Sequence, residues 1–192
     1  MKVYDAILSR RSVRRFKQKQ ITLELLKKFV NAARIAPSAA NLQPLEFFVV
    51  NDESLCSEVF KALGWAAYIK PSWAPNKDES PVAYIIILAK NPSKNPWIAR
   101  DASYAAENIM LTAESEEIGS CILCKIDKEM LHEILELPED YIVDSLIALG
   151  HKSENPVIEN IKDNDVKYWR DENEVLHVPK RKLEDIIHID KF

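Results

Sequence analysis

Glycine is scarce in this sequence: only three of the 192 residues are glycines, at positions 64, 119 and 150. A phosphate-binding P-loop and a Rossmann dinucleotide-binding turn each need several glycines in one turn, so that backbone N–H groups approach the phosphate closely. Neither turn can be built from these three positions. Any phosphate bound by this chain must therefore be held mainly by side chains.

Cysteine is also rare, and the chain has an odd number: Cys56, Cys121 and Cys124. This argues against the disulfide scaffold of a secreted domain and fits a reducing compartment, so we expect a cytoplasmic protein. No apolar run reaches the roughly 18 residues that span a bilayer, and no uncharged signal-peptide segment follows Met1. We therefore expect no membrane association.

Positive charge is concentrated at the start of the chain. Residues 1–20 contain seven Lys or Arg and one acid, whereas the whole chain has a net charge of −4. Residues 10–15, Arg-Arg-Ser-Val-Arg-Arg, are named the basic run below. Closely spaced arginines can hold phosphate oxygens by charge-assisted, bidentate hydrogen bonds. The alternative is an ordinary solvent-exposed charged surface.

A second basic cluster, Lys180 to Lys182, lies near the other end of the chain. Chain termini are often close in space, so both clusters could meet on one phosphate. The acidic balance of the whole chain gives no general reason to bind nucleic acid, and we expect none.

The length of 192 residues fits a single domain. Helices and strands alternate along the chain in the hydrophobic pattern, which predicts an α+β or α/β class with one sheet. Thr22 and Asp127 are predicted N-caps, Gly64 and Gly119 are predicted to end two helices, and an extended pair is predicted around residues 174–178. Helices are predicted at residues 2–9, 22–35, 54–63, 98–117 and 127–137, and strands at residues 47–50, 82–89, 120–126 and 143–149.

Cys121 and Cys124 match the C-x-x-C spacing of redox and metal sites. The zinc ligand set is incomplete, so no metal site is expected. Within a strand, residues three apart face opposite sides of the sheet, which favours a structural role, although a dithiol redox protein remains an alternative. No catalytic triad or carboxylate pair is present, and an enzyme without such groups usually takes its chemistry from an organic cofactor.

Two segments resemble the signatures of the FMN-dependent nitroreductase family. Residues 6–16, Ala-Ile-Leu-Ser-Arg-Arg-Ser-Val-Arg-Arg-Phe, resemble its opening signature. Residues 36–44, Ala-Pro-Ser-Ala-Ala-Asn-Leu-Gln-Pro, resemble its second signature, Pro-Ser-x-x-Asn-x-Gln-Pro. The alanine-rich helix, the strand that ends at Gly150 and residues 179–183 continue the resemblance over nearly the whole chain.

The resemblance implies an α+β nitroreductase-like fold, with a central, mainly antiparallel sheet flanked by helices, and an intertwined homodimer. It implies one domain over residues 1–192, whose tail from about residue 152 wraps the partner subunit. Two FMN sites are expected at the interface, without a dedicated catalytic side chain. The positions that match FMN-binding positions of the family are Arg10, Arg11, Ser12, Arg14, Pro37, Ser38, Ala39, Asn41, Leu123, Cys124, Lys180 and Lys182.

Each group of these residues has an expected role. Arg10, Arg11, Ser12 and Arg14 match residues that hold the phosphate, ribityl chain and pyrimidine edge of the flavin, and the two lysines match residues that help hold the phosphate. Residues 37–41 match a segment that approaches the same flavin from the partner subunit. Leu123 and Cys124 match the segment beside flavin N5.

The resemblance implies an oxidoreductase that takes hydride from NADH or NADPH and passes it through flavin N5 to nitroaromatics, quinones or similar flat acceptors, with ping-pong kinetics. A flavin reductase or another specialised branch of the family is an alternative. A non-catalytic protein that binds anions or nucleic acid through its basic clusters is an alternative of a different class.

Overall fold

A computed structural model of the chain describes residues 1–69, 73–90 and 95–191. None of the helices in these residues is both long and apolar enough to cross a membrane. The helices are α1 (Val3–Ser9), α2 (Leu23–Arg34), α3 (Glu53–Lys61), α4 (Ile98–Ser115) and α5 (Lys128–Ile134). The strands are β1 (Phe16–Lys17), β2 (Leu45–Val50), β3 (Ala83–Lys90), β4 (Ile118–Leu123), β5 (Tyr141–Lys152), β6 (Val157–Asn160), β7 (Trp169–Arg170) and β8 (Leu176–Lys180).

The main sheet is antiparallel and contains the first five strands. β3 pairs with β2 on one side and with β5 on the other, and β5 also pairs with β1 and β4. The first seven residues of β3 are apolar and buried, as a strand covered on both faces requires. One face of the sheet packs against α3 and α5, and the other packs against α2 and α4. The predicted α+β fold with a mainly antiparallel sheet is confirmed.

The predicted helix starts are confirmed by their caps. The Thr22 hydroxyl accepts the backbone N–H of Leu25 at 3.3 Å, and the Asp127 carboxylate accepts that of Met130 at 3.1 Å. Each side chain satisfies a donor that the first helical turn leaves without an intrahelical partner. These caps fix where α2 and α5 begin.

The predicted ends of two helices were wrong. α3 ends at Lys61, before Gly64, and α4 ends at Ser115, before Gly119. No described glycine has a positive φ; the left-handed residue after α4 is Glu117, with φ 60°. The strand predicted at residues 120–126 is β4, which starts and ends earlier than expected.

Gly119 and Gly150 instead provide space for the chain that follows α1. They face each other in β4 and β5. A Cβ atom at Gly119 would lie 3.0 Å from the side chain of Val13, and one at Gly150 would lie 2.7 Å from that of Phe16. Residues 13–16 can therefore pack directly against the sheet, which places the basic run at its surface.

The tail forms a second, three-stranded sheet, so the prediction of one sheet was wrong. β8 pairs in parallel with β6 and antiparallel with β7. The β7–β8 pair confirms the extended pair predicted around residues 174–178, whereas β6 was not predicted. The backbone N–H of Ser153 donates to the carbonyl of Arg15 at 3.0 Å, so the tail begins beside the basic run.

Candidate functional site

The basic run leaves α1 in an extended conformation and follows the edge of β4. Ser12 forms a parallel bridge with Ser120, and the N–H of Val13 donates to the Ser120 carbonyl at 2.9 Å. Val13 and Phe16 are fully buried and anchor the segment in the core. The arginines between and before these anchors are half-buried, so their charges lie at the protein surface with part of their hydration removed.

Arg10 and Arg11 place two cations side by side at the end of α1. Arg10 Nε lies 3.5 Å from Glu107 Oε1 on α4, but it is buried and makes no hydrogen bond with any residue that the structure describes. The Arg11 guanidinium donates to the carbonyls of Arg10 and Leu8. Burial, and then the charge of Arg10, lowers the pKa of Arg11. The negative charge of an anion bound here would offset both effects.

Arg14 lies under the C-terminal tail. Its guanidinium carbon is 4.7 Å from the ring centroid of Tyr168, a cation–π distance. Its backbone N–H donates to Glu154 Oε1 at 2.6 Å, and the other oxygen of Glu154 accepts from Arg170, also at 2.6 Å. Arg14 Nε is buried and has no hydrogen-bond partner within the described part of the chain.

Arg15 has a different environment from the arginines before it. It lies 2.7 Å from Glu174 and 3.5 Å from Glu79, and its guanidinium sits 5.5 Å from the ring centroid of Trp73. Two carboxylates therefore offset its charge. Arg15 thus joins the tail to the segment that precedes β3, through Glu174 on one side and Glu79 and Trp73 on the other. It is less suited than its neighbours to bind an added anion.

The second signature forms a tight loop fixed to α4. The Ser38 hydroxyl donates to Asp101 Oδ2 at 2.7 Å, and the Ala39 N–H donates to Asp101 Oδ1 at 3.1 Å. The Ser38 hydroxyl in turn accepts the N–H of Gln43 at 2.9 Å. Pro37 precedes this network, and Asn41 ends a short 3-10 turn within it.

Sequence reasoning missed Asp101, although a signal for it exists. Ile98, Asp101, Ala102 and Ala105 follow the i, i+3, i+4, i+7 spacing of a buried helix face. An acid on such a face indicates a specific hydrogen-bonding partner, because an unpaired buried charge is costly. Glu154 was missed for a different reason: it lies in an irregular tail segment without periodicity.

Leu123 ends β4 in the core, and Cys124 follows it as an exposed residue. Cys121 is buried in β4 and is not bonded to Cys124. Burial raises the pKa of the Cys121 thiol, and this effect exceeds the opposing effect of the nearby Arg14. A buried, protonated thiol is a poor nucleophile, which weighs against a dithiol redox site.

The second basic cluster lies at the exposed end of β8. Lys180 ends β8 opposite Asn160, and Lys182 precedes the Leu183–Asp185 turn; both are exposed. Among the described residues, no hydrogen bond or ion pair joins either lysine to the basic run. Groups of like charge that share one anion make no bond with each other, so the prediction that both clusters hold one phosphate stays a prediction.

The two signatures are attached to different sides of α4. The second signature is bound by Asp101, and Arg10 of the first lies beside Glu107, six residues further along the helix. Six residues turn an α-helix through about 600°, so these two positions point about 120° apart around its axis.

A sequence model of the Nitroreductase family matches residues 7–151. The chain belongs to the nitroreductase family. This confirms the resemblance that the two signatures indicated. Family membership supports an oxidoreductase activity for the chain.

Individual relatives agree with this assignment. A protein of Methanothermobacter thermautotrophicus, whose name proposes an NADH dehydrogenase/NAD(P)H nitroreductase, is 30% identical over 171 residues, which cover 86% of this chain and 85% of the relative. The NADPH-flavin oxidoreductase of Vibrio harveyi is 26% identical over 80% of this chain and 67% of its own length. The crystal structure of a nitroreductase family protein from Clostridium novyi superimposes with a TM-score of 0.69 at 27% identity, covering 80% of this chain and 86% of that one.

Proposed function

We propose that this nitroreductase-family chain is an FMN-dependent NAD(P)H oxidoreductase that reduces nitroaromatics, quinones or similar flat acceptors. The observation that carries the proposal is the basic run, where four half-buried arginines lie close together and the buried Nε atoms of Arg10, Arg14 and Arg15 make no hydrogen bond within the described chain. Buried donors of this kind normally have a partner, so they fit an anionic ligand. The names of the relatives in Methanothermobacter thermautotrophicus and Vibrio harveyi support nicotinamide and flavin as the reactants.

The residues of the basic run fit the phosphate-bearing end of FMN. Arg10, Arg11 and Ser12 offer charged and hydroxyl donors on one short extended segment, and this suits a dianion in a chain without a glycine-rich loop. Lys180 and Lys182 would add positive charge at the same end. Arg14, further along the run, would face the pyrimidine edge of the ring.

The remaining candidate residues would flank the flavin ring. Leu123 and Cys124 at the end of β4 would lie beside N5, and the segment that contains Pro37, Ser38, Ala39 and Asn41 would approach from the partner subunit. Bound FMN supplies hydride acceptance and donation at N5, so no side chain has to act as acid or base on it. A cation such as Arg14 near the pyrimidine edge would favour the reduced, more negative form.

We also propose that the functional unit is a homodimer. Four apolar residues of α1 are between 46% and 73% exposed, which is unusual for a short helix in a single chain. Four apolar residues of the tail are likewise between 48% and 74% exposed. A tail that wraps a partner subunit would cover both sets. These residues are Val3, Tyr4, Ile7 and Leu8 in α1, and Leu183, Ile186, Ile187 and Ile189 in the tail.

We expect the purified chain to be yellow, to contain one FMN per chain, and to sediment as a dimer. NADH or NADPH added without oxygen should bleach the flavin absorbance, and a nitroaromatic or quinone should restore it. Absorbance spectroscopy and analytical ultracentrifugation measure these properties. Colourless protein that takes up no added FMN would refute the proposal.

A panel of acceptors tests the substrate class. Anaerobic turnover with nitroaromatics, quinones and free flavins, each with NADH and with NADPH, compares the general reductase with a flavin reductase. Efficient reduction of free flavin alone would replace the proposed acceptor class with the specialised branch. Strong, salt-dependent DNA binding without turnover would support the non-catalytic alternative instead.

We expect Cys121→Ala to retain NAD(P)H-dependent turnover. The thiol of Cys121 is buried and its pKa is raised, so it does not supply a thiolate at neutral pH. Steady-state kinetics with a quinone acceptor measure the effect, and circular dichroism checks the fold. Loss of turnover in a folded, FMN-loaded variant would favour the dithiol mechanism.

A further inference from the structure

The loop at residues 38–43 adopts a strained backbone conformation. Ala40, Asn41 and Gln43 have φ values of 49°, 53° and 49°, in the left-handed region that residues with a Cβ rarely occupy. Three such residues within four positions persist only where surrounding contacts hold them, and such strain is concentrated at functional sites. The loop therefore needs a fixed attachment, and its contacts show which residue provides one.

Asp101 provides that attachment from the first turn of α4. Asp101 is only 2% exposed. One of its carboxylate oxygens accepts a hydrogen bond from the Ser38 hydroxyl, and the other accepts one from the Ala39 N–H. No cation pairs with it among the described residues. Because a buried carboxylate is expensive without bonded donors, Asp101 and the loop must stay together.

The network extends through Ser38 to the far end of the loop. The hydroxyl oxygen that donates to Asp101 also accepts the N–H of Gln43. One carboxylate thus constrains the backbone at Ala39 directly and at Gln43 through one side chain. The left-handed residues Ala40 and Asn41 lie between these two fixed points.

We propose that Asp101 is a positioning residue for the flavin site: it holds residues 38–41 in the one conformation that binds FMN. The inference rests on the proposed function, because it takes the loop to be part of an FMN site. Asp101 acts through the loop and does not itself touch the flavin. Its loss would let the strained residues relax, so that each FMN-binding event would have to restore the bound conformation.

The test is Asp101→Asn, which keeps the size of the side chain but replaces one acceptor oxygen by an NH₂ donor. We expect the Kd for FMN, measured by flavin fluorescence, to rise at least about tenfold. In flavin-free protein, the amides of Ala39 and Gln43 should exchange hydrogen faster, while the amides of the main sheet stay protected.

Ile109→Val is the matched control. Ile109 is fully buried two turns further along α4, so its truncation lowers stability without touching the loop contacts. We expect its FMN affinity and its loop exchange to equal those of the unchanged chain. If Asp101→Asn only lowered the melting temperature, as this control does, Asp101 would be a structural residue and the inference would be wrong.

The two readouts separate this inference from the proposed function. An unchanged chain that binds no FMN would overturn the flavin assignment of the loop. The exchange measurement needs no flavin and would still decide whether Asp101 holds the loop. Unchanged exchange at Ala39 and Gln43 in Asp101→Asn would overturn the inference whatever the flavin affinity.

Discussion

Arg10→Ala will bind FMN at least about 100-fold more weakly than the unchanged chain. Each charge-assisted hydrogen bond to a phosphate oxygen contributes about 1.5–3 kcal/mol, and a guanidinium can make two of them. The Arg10 guanidinium makes no hydrogen bond in the described chain and contacts Glu107 only through Nε at 3.5 Å, so its two terminal nitrogens can donate to a ligand. The nearby Arg11 cannot fully replace it, because part of its donor capacity is taken by the carbonyls of Arg10 and Leu8.

The fold should tolerate this substitution. Arg10 and Glu107 are 3.5 Å apart with side chains 23% and 45% exposed, and such surface pairs contribute at most about 1 kcal/mol. Lys28→Ala is the matched control, because it also removes one cation that is paired with a carboxylate of α4. Lys28 Nζ lies 2.6 Å from Oε1 of Glu116, the C-cap residue of that helix. Fluorescence titration gives the Kd of both variants, and only Arg10→Ala should change it.

An unchanged Kd in Arg10→Ala would remove the basic run from the flavin site. The run would then be a charged surface segment, which is the other interpretation of its sequence. Raising the salt concentration supplies a further check. FMN binding to the unchanged chain should weaken with salt, and this dependence should be smaller in Arg10→Ala because one phosphate contact is missing.

Much of the main sheet follows from the hydrophobic pattern alone. Residues 82–89 form an unbroken apolar run, and β3 is indeed buried on both faces. The caps Thr22 and Asp127 were predictable because capping depends on neighbouring residues along the chain. The order of the strands was not predictable, because it depends on contacts between residues far apart in sequence.

Glycine shows why some local predictions fail. Gly119 follows an amphipathic helix, and a glycine at that place usually supplies a left-handed C-terminal residue. In this chain Glu117 is left-handed, and Gly119 makes room for Val13. The sequence does not distinguish a glycine needed for its backbone freedom from one needed for its lack of a Cβ atom.

The candidate site also has a part that the sequence predicts and a part that it does not. The two signature segments identified the family correctly, and the roles assigned to their residues stay predictions until flavin binding is measured. The residues that support these segments were not predicted. The Ser38–Asp101 hydrogen bond joins residues 63 positions apart, and the Arg14–Glu154 bond joins residues 140 positions apart. Periodicity shows that a residue is buried, but it does not name such a partner.

Glu154→Gln will destabilise the chain by about 3–5 kcal/mol, because it leaves the buried guanidinium of Arg170 without its counter-charge. Their side chains are only 7% and 6% exposed and lie 2.6 Å apart. For a chain of this size, that loss lowers the melting temperature by roughly 10 °C. Thermal unfolding followed by circular dichroism, on flavin-free protein, measures the change without the stabilising effect of ligand.

Glu174→Gln is the control for this prediction. The carboxylate of Glu174 is also in the tail and lies 2.7 Å from Arg15 of the basic run, but its side chain is 61% exposed. Loss of this ion pair should therefore lower the free energy of unfolding by at most about 1 kcal/mol. The double variant Glu154→Gln/Arg170→Met should recover much of the stability. It removes both charges, keeps an oxygen for the Arg14 N–H, and places an apolar side chain where Arg170 covers Trp73.

Equal stability losses in Glu154→Gln and Glu174→Gln would show that the Arg170–Glu154 pair is no more important than a surface pair. The expected difference has a consequence for the site. Glu154 accepts the backbone N–H of Arg14, so the buried pair holds both the tail and the part of the basic run proposed to face the flavin ring. A chain that loses this pair should therefore bind FMN more weakly even at temperatures where it remains folded, whereas the Glu154→Gln/Arg170→Met variant should regain affinity together with stability.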